Sequence, residues 1–264
     1  MKTVRNIKIN KKMTRFKINL EYDGTNLIGW QSNKDGVSVQ SLVSDAIYKF
    51  CGERADVVSA GRTDAGVHAI CMTAHFDLDK EQNPDTIMRA LNFYLVKEPV
   101  SVLSCECVDD DFHARFSCTK RNYRYIVLNR PSPVVLKKNR VWWVPQKLDI
   151  EKMKVAAKKL VGKHDFTSFR AAQCQAKSPI KTLDSATITQ NDDEIIFDFS
   201  ARSFLHHQVR NMVGTLVEIG LGKPYDIDEI FAEKKRNAAG VNAPPFGLYF
   251  VSATYAMDDG LKNV

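Results

Sequence analysis

The chain has 264 residues, 44% of them hydrophobic and 26% charged, the balance of an ordinary soluble globular protein and a length comfortable for two packed subdomains. Its 38 Lys+Arg against 31 Asp+Glu leave +7 and a pI near 9.0, a surplus that suits a polyanionic partner or an anionic membrane surface without choosing between them. No stretch approaches the apolar length that spans a bilayer, and no apolar run follows the basic start as a secretory signal requires. That start, Lys2, Arg5, Lys8, Lys11, Lys12, Arg15 and Lys17 ahead of the first acid Glu21, reads as a solvated terminus or as an arm that adds phosphate contacts.

From there the periods fall in a repeating order. Phe16, Ile18, Leu20 and Tyr22 alternate as a strand, and Ser38 caps a helix with Val39, Leu42, Val43, Ala46, Ile47 and Phe50 on one face. Residues 56–60 and 69–77 read as strands around a Gly-rich connection. Asn83-Pro84 opens a helix with Ile87, Leu91, Tyr94 and Leu95 inward, and a strand near 101–108 closes the half. The second half gives a strand at 123–128, then a helix with Ile150, Met153, Ala157, Leu160 and Val161 on one face, stopped by Gly162. Strands near 184–190 and 194–201 flank the turn Asn191-Asp192-Asp193. A helix from 205 to about 219 and a strand at 248–256 complete it. The expectation is an α+β protein of two ferredoxin-like β-α-β-β-α-β halves with a mostly antiparallel sheet. We divide it into a basic extension (1–12), an N-terminal subdomain (13–110) and a C-terminal subdomain (111–264).

The six cysteines (Cys51, Cys71, Cys105, Cys107, Cys118, Cys174) have no C-x-x-C spacing, which fits reduced thiols in a cytosolic protein rather than zinc ligands. No dinucleotide-binding G-x-G-x-x-G follows a strand, Gly222-Lys223-Pro224 is not a P-loop, and the aromatic signature of an RNA-recognition module is absent.

One connection concentrates chemistry: Ser59-Ala60-Gly61-Arg62-Thr63-Asp64-Ala65-Gly66-Val67-His68-Ala69. Two glycines bracket an Arg and an Asp, which by itself is only a good turn sequence. Gly61 to Ala69, GRTDAGVHA, however, resembles the catalytic motif of the tRNA pseudouridine synthase A family. Tyr22–Gln31 (YDGTNLIGWQ), Phe112–Tyr125 (FHARFSCTKRNYRY), His164–Ala171 (HDFTSFRA), Ser203–Gly214 (SFLHHQVRNMVG) and Ala243–Phe250 (APPFGLYF) resemble it in the same order. The likeness runs from about residue 14 to 256. Leu27 and Val96-Lys97-Glu98 depart from the family pattern, outside the catalytic set.

That resemblance implies isomerisation of uridine to pseudouridine at positions 38, 39 and 40 of the tRNA anticodon stem-loop, by a homodimer without cofactor or metal. It implies Asp64 as the catalytic carboxylate, a nucleophile at C1′ or a base at C2′, with Arg210 as its cationic partner. Tyr123 then stacks on the extracted uracil and moves the C5 proton, Leu248 packs under the base, and Arg62 enters the RNA to help extract it. Tyr125 shares a strand face with Tyr123, so spacing does not separate them. Lys120, Arg121, Arg124, Arg130, Lys137, Lys138 and Arg140 are candidate phosphate contacts, and Trp142-Trp143 a candidate stacking pair with at least one ring in the core. Two rival readings are a non-catalytic RNA-binding protein on the same fold and a metal-dependent hydrolase using Asp64 and His68.

Overall fold

Residues 13–256 are described in the computed structural model; the basic start, residues 1–12, lies outside them. In chain order come β1 (Thr14–Tyr22), α1 (Val39–Cys51), β2 (Val58–Ser59), β3 (His68–Leu78), α2 (Pro84–Leu95) and β4 (Val100–Val108). Then follow β5 (Cys118–Leu128), β6 (Trp142–Trp143), α3 (Ile150–Leu160), β7 (Gly162–Asp165), β8 (Ile180–Asn191), β9 (Glu194–Ala201), α4 (Gln208–Gly220), α5 (Ile227–Glu233) and β10 (Leu248–Tyr255). All the strands belong to one sheet of order β4-β1-β3-β10-β5-β9-β8-β7, with β2 beside β3 and β6 beside β5. Pairing is antiparallel except for β10 with β3 and β5 with β6. The path β4-β1-β3-β2 is repeated as β10-β5-β9-β8, and the two runs meet where Tyr249 and Phe250 pair with His68 and Ala69.

Local chemistry explains most of these elements. In β1 the alternating Phe16, Ile18 and Leu20 are wholly buried, and Phe16 stacks on Phe76 of β3 at 5.8 Å; each such side chain contributes about 1.5–3 kcal/mol on leaving water. Ser38 and Ser41 form a reciprocal capping box at the start of α1, and Gly52 ends it in the left-handed region. Asn83 caps α2 ahead of Pro84, and Asp149 caps α3.

Several elements differ from the sequence expectation. Tyr94 does not face inward but is partly exposed, leaving Ile87, Leu91 and Leu95 as the buried row of α2. The strand expected at 56–60 shrinks to Val58–Ser59, because the Val57 carbonyl accepts from Gln40 of α1 (3.1 Å). Gly162 does more than stop α3: at φ +115 it starts β7, which pairs with β8. Helix α4 begins at Gln208, three residues later than expected, with His207 as its cap at φ 63. It is buried on nearly every side rather than along one stripe, Arg210 being its one residue short of full burial. Gly214 of α4 does allow a close approach, but by the segment 240–243 rather than by a strand: a Cβ there would lie 1.8 Å from the Val241 carbonyl oxygen.

Candidate active site

The connection between β2 and β3 carries Arg62 and Asp64, and the Tyr22–Gln31 segment wraps it. Trp30 N–H donates to the Thr63 carbonyl (3.0 Å), Gly66 N–H to that of Leu27 (3.3 Å), and the Tyr22 and Thr63 hydroxyls bond at 2.8 Å. Gly24 and Gly29 permit the contact: a Cβ on either would meet the Val67 or Thr63 carbonyl oxygen at 2.1 or 2.3 Å. On the other side Arg121, buried, donates from Nε (2.9 Å) and Nη2 (2.7 Å) to the Ala60 carbonyl, and also binds the carbonyls of Arg115 and Arg202. Arg121 is therefore a structural clasp and not a phosphate contact. Arg121→Met strands three carbonyls and is expected to lower unfolding stability by roughly 3 kcal/mol or more. Urea denaturation checks this, with Arg121→Lys losing less.

Asp64 is where two halves of the sequence converge. Arg210 Nη1 donates to its Oδ2 at 3.0 Å, His206 Nε2 lies 3.1 Å from Oδ1, and His207 Nε2 lies 3.3 Å from Oδ2. All three come from the amino end of α4, where the helix dipole also favours an anion. Burial alone would raise the Asp64 pKa; His207, His206 and Arg210 outweigh it and take it from 3.8 to about 2. Arg210 is itself held, Nε donating to the Ala243 carbonyl at 2.8 Å. One carboxylate and two imidazoles within 4.8 Å are also a set able to take a cation, but the Arg210 guanidinium already puts a fixed positive charge there.

The two tyrosines of β5 have different surroundings. Tyr125 is wholly buried and donates to the Pro244 carbonyl at 2.7 Å. The Tyr123 ring sits edge-on between Phe204 (5.1 Å) and Phe250 (5.2 Å), and among the described residues its hydroxyl has no hydrogen-bond partner. Burial pushes the Tyr123 phenol up, with Arg121 opposing and Asp64 adding to the rise. Leu248 is buried and pairs in register with Tyr125. Arg62 is exposed and, among the described residues, forms no ion pair.

Other candidates are engaged elsewhere. His68 is buried away from Asp64: Gly24 N–H donates to its Nδ1 (3.0 Å), and its Nε2 faces the carbonyls of Asn139 (2.9 Å) and Phe246 (3.1 Å). It joins the first turn to two loops, and burial lowers its pKa. Of the remaining basic candidates, Arg124 pairs with Asp198, Arg130 with Asp193, Lys137 with Glu194 and Arg140 with Asp23. Lys120 and Lys138 are exposed and unpaired among the described residues. In the basic start, Arg15 and Lys17 are strand residues paired with Asp77 and Glu106. Both tryptophans are partly buried, Trp142 edge-on to Tyr125 and Trp143 donating to the Arg130 carbonyl.

The sequence pointed to no role for His206 or His207, and to phosphate rather than carbonyls as the partner of Arg121. Both imidazoles precede the first turn of α4, His207 as its left-handed cap, and their adjacency just ahead of the helix that carries Arg210 was the available signal for the pair.

Comparison with known proteins agrees with this picture. The family described as tRNA pseudouridine synthase matches residues 19–117 and 156–256. Three proteins named tRNA pseudouridine synthase A are similar over nearly the whole chain. That of Rhodospirillum centenum is 51% identical over 245 residues, 92% of this chain and 100% of its own. Those of Paramagnetospirillum magneticum and Zymomonas mobilis are each 47% identical, over 94% and 92% of this chain and 98% and 100% of theirs.

Proposed function

This chain belongs to the tRNA pseudouridine synthase family, and from that premise we propose that it isomerises uridine to pseudouridine in tRNA, at positions 38, 39 and 40 of the anticodon stem-loop, with Asp64 as its catalytic carboxylate. The observation that carries this reading is an ionised carboxylate, fixed by one guanidinium and two imidazoles, in a site that also holds a phenol with no partner among the described residues.

The uridine leaves the stack at a cost of a few kcal/mol, and the exposed Arg62 offsets part of it by filling the space. Asp64 acts at the sugar, either bonding to C1′ as N1–C1′ breaks and leaving it as C5–C1′ forms, or taking the C2′ proton as N1–C1′ breaks and returning it as C5–C1′ forms; the uracil turns in between. The C5 proton is then lost and N1 takes one up, which restores a neutral base; Tyr123, a protonated phenol, is the group that relays the proton, giving its own as it receives that of C5. Leu248 supports the base, and Arg210 keeps Asp64 charged. Residues 13–110 supply the carboxylate and 111–264 its cationic partner, so neither subdomain is competent alone. The enzyme acts in the cytoplasm, as a homodimer.

The test is tritium release from unmodified tRNA labelled at uridine C5, run beside transcripts with cytidine at 38, 39 and 40. Release from the first and none from the second is the expected result. Binding without release from several tRNAs would instead favour the non-catalytic RNA-binding protein. Turnover in a chelator would exclude the metal-dependent hydrolase. Tyr123→Phe keeps the stacking ring and loses the hydroxyl; a fall in turnover of roughly 10²-fold is expected, and a normal rate would reduce Tyr123 to stacking alone.

A further inference from the structure

The two oxygens of Asp64 are held by different kinds of neighbour. Oδ2 takes both Arg210 (3.0 Å) and His207 (3.3 Å), whose side chains are 11% and 26% exposed. Among the described residues Oδ1 takes only His206 (3.1 Å), which is 43% exposed. The sheltered donors therefore grip one oxygen, and a side chain with room to leave covers the other.

His207 is built to stay. Its Nδ1 faces the Asn242 side-chain nitrogen at 3.3 Å; an amide nitrogen only donates, so this contact matches the form of the ring whose Nε2 carries a proton towards Asp64. Its backbone is left-handed (φ 63, ψ 2), unusual for a residue with a Cβ. Strain of that kind persists where the surroundings over-determine it. Here Asn211 N–H binds the His207 carbonyl (2.9 Å), Ala171 N–H binds that of His206 (2.9 Å), and Gln208 Oε1 accepts from Leu205 N–H (2.8 Å).

A sugar carbon needs one carboxylate oxygen to itself. Freeing Oδ2 means breaking two partly buried contacts, one of them to a guanidinium, whereas freeing Oδ1 means turning one half-exposed ring. We propose that Oδ1 is the reacting oxygen, that His207, oriented by Asn242, is a positioning residue for Asp64, and that His206 is a cap which the incoming uridine displaces. This rests on Asp64 being the catalytic carboxylate and extends it to which atom reacts and what prepares it.

The test compares His207→Gly, His207→Gln, Asn242→Leu and His206→Ala by single-turnover tritium release, steady-state kinetics, tRNA binding and thermal melting. His207→Gly relieves the left-handed backbone and gives up the contact to Asp64, so its melting temperature stays within a few degrees of wild type; its kcat falls roughly 10- to 100-fold with tRNA affinity unchanged. His207→Gln, which keeps an N–H donor, recovers most of that rate. Asn242→Leu falls in the same direction by a smaller factor, about 5-fold. His206→Ala has no contact to break and raises kcat/KM about 2- to 5-fold. The proposal is overturned if His207→Gly turns over at the wild-type rate, if the glutamine recovers nothing, or if His206→Ala loses more kcat than His207→Gly. Turnover by an enzyme without Asp64 would instead overturn the underlying reading, so the two failures are distinguishable.

Discussion

Asp64→Ala and Asp64→Asn are both expected to bind tRNA and to lose tritium release by on the order of 10⁴-fold or more. Asparagine keeps the shape and one acceptor for Arg210 but has neither the charge nor the lone-pair strength to act at the sugar, so both should fail alike. The titration of Asp64 supplies a second signature. The Asp64 carboxyl is lowered from 3.8 to about 2 in the fold; a depressed carboxylate contributes its stability above the unfolded value and loses it as pH falls through the folded one. The wild type should therefore gain roughly 2 kcal/mol over Asp64→Asn from this carboxylate above about pH 5 and lose that gain progressively towards pH 2. Urea midpoints across that range measure it. It follows that a loss of activity on acidification between pH 7 and pH 5 belongs to a group other than Asp64. Wild-type turnover in either variant would remove Asp64 from the mechanism.

Gly214→Ala is expected to be the most damaging single methyl in the protein. In a helix interior this change normally gains about 1 kcal/mol. Here the new carbon would sit 1.8 Å from the Val241 carbonyl oxygen and 3.2 Å from Ala243 N, and helix α4 is packed on its other faces. The segment 240–243 has to move, and it is tied to the helix on both sides of the glycine. Gly240 N–H donates to Thr215 Oγ1 (2.9 Å), while Ala243 exchanges hydrogen bonds with Arg210 at 3.2 and 2.8 Å. Overpacking against backbone should outweigh the propensity gain, with a net loss of about 3 kcal/mol and a melting temperature lower by about 10 °C. The folded fraction should also turn over more slowly, because the Arg210 grip on Ala243 sets the guanidinium that faces Asp64. A variant as stable and active as wild type would show that the segment yields freely.

What the sequence disclosed and what it hid divide along a physical line. Periodic elements were legible because burial acts on each strand and helix face locally: the rows Phe16-Ile18-Leu20 and Val39-Val43-Ala46-Ile47 are core residues as read. Capping was legible for the same reason at Ser38 and Asn83. The four-residue β7 and the seven-residue α5 were not, being too short to establish a period. At the site, the loop motif marked Asp64 and the helix motif marked Arg210. The fates of the basic residues were hidden, because an arginine looks the same in sequence whether its acceptor is solvent, Asp198 or a buried carbonyl. Arg121, Arg124 and Arg130 are three such cases. Tyr123 and Tyr125 were inseparable by spacing, and only the Pro244 carbonyl, far along the chain, distinguishes them.

Strand β10 has a consequence for how the molecule comes into being on the ribosome. It lies between β3 and β5, yet it is the last described strand to be synthesised. Until it emerges, β3 and β5 each present a bare, apolar-faced edge, the kind of surface through which nascent chains aggregate or recruit chaperones. The seam it closes joins residues 68 and 69 to 249 and 250, a long-range pairing that is slow to find. Translation thus produces most of this protein before the two halves of its sheet can be joined, and a ribosome stalled between residues 64 and 248 would carry a chain that already has its aspartate but no closed sheet to hold it.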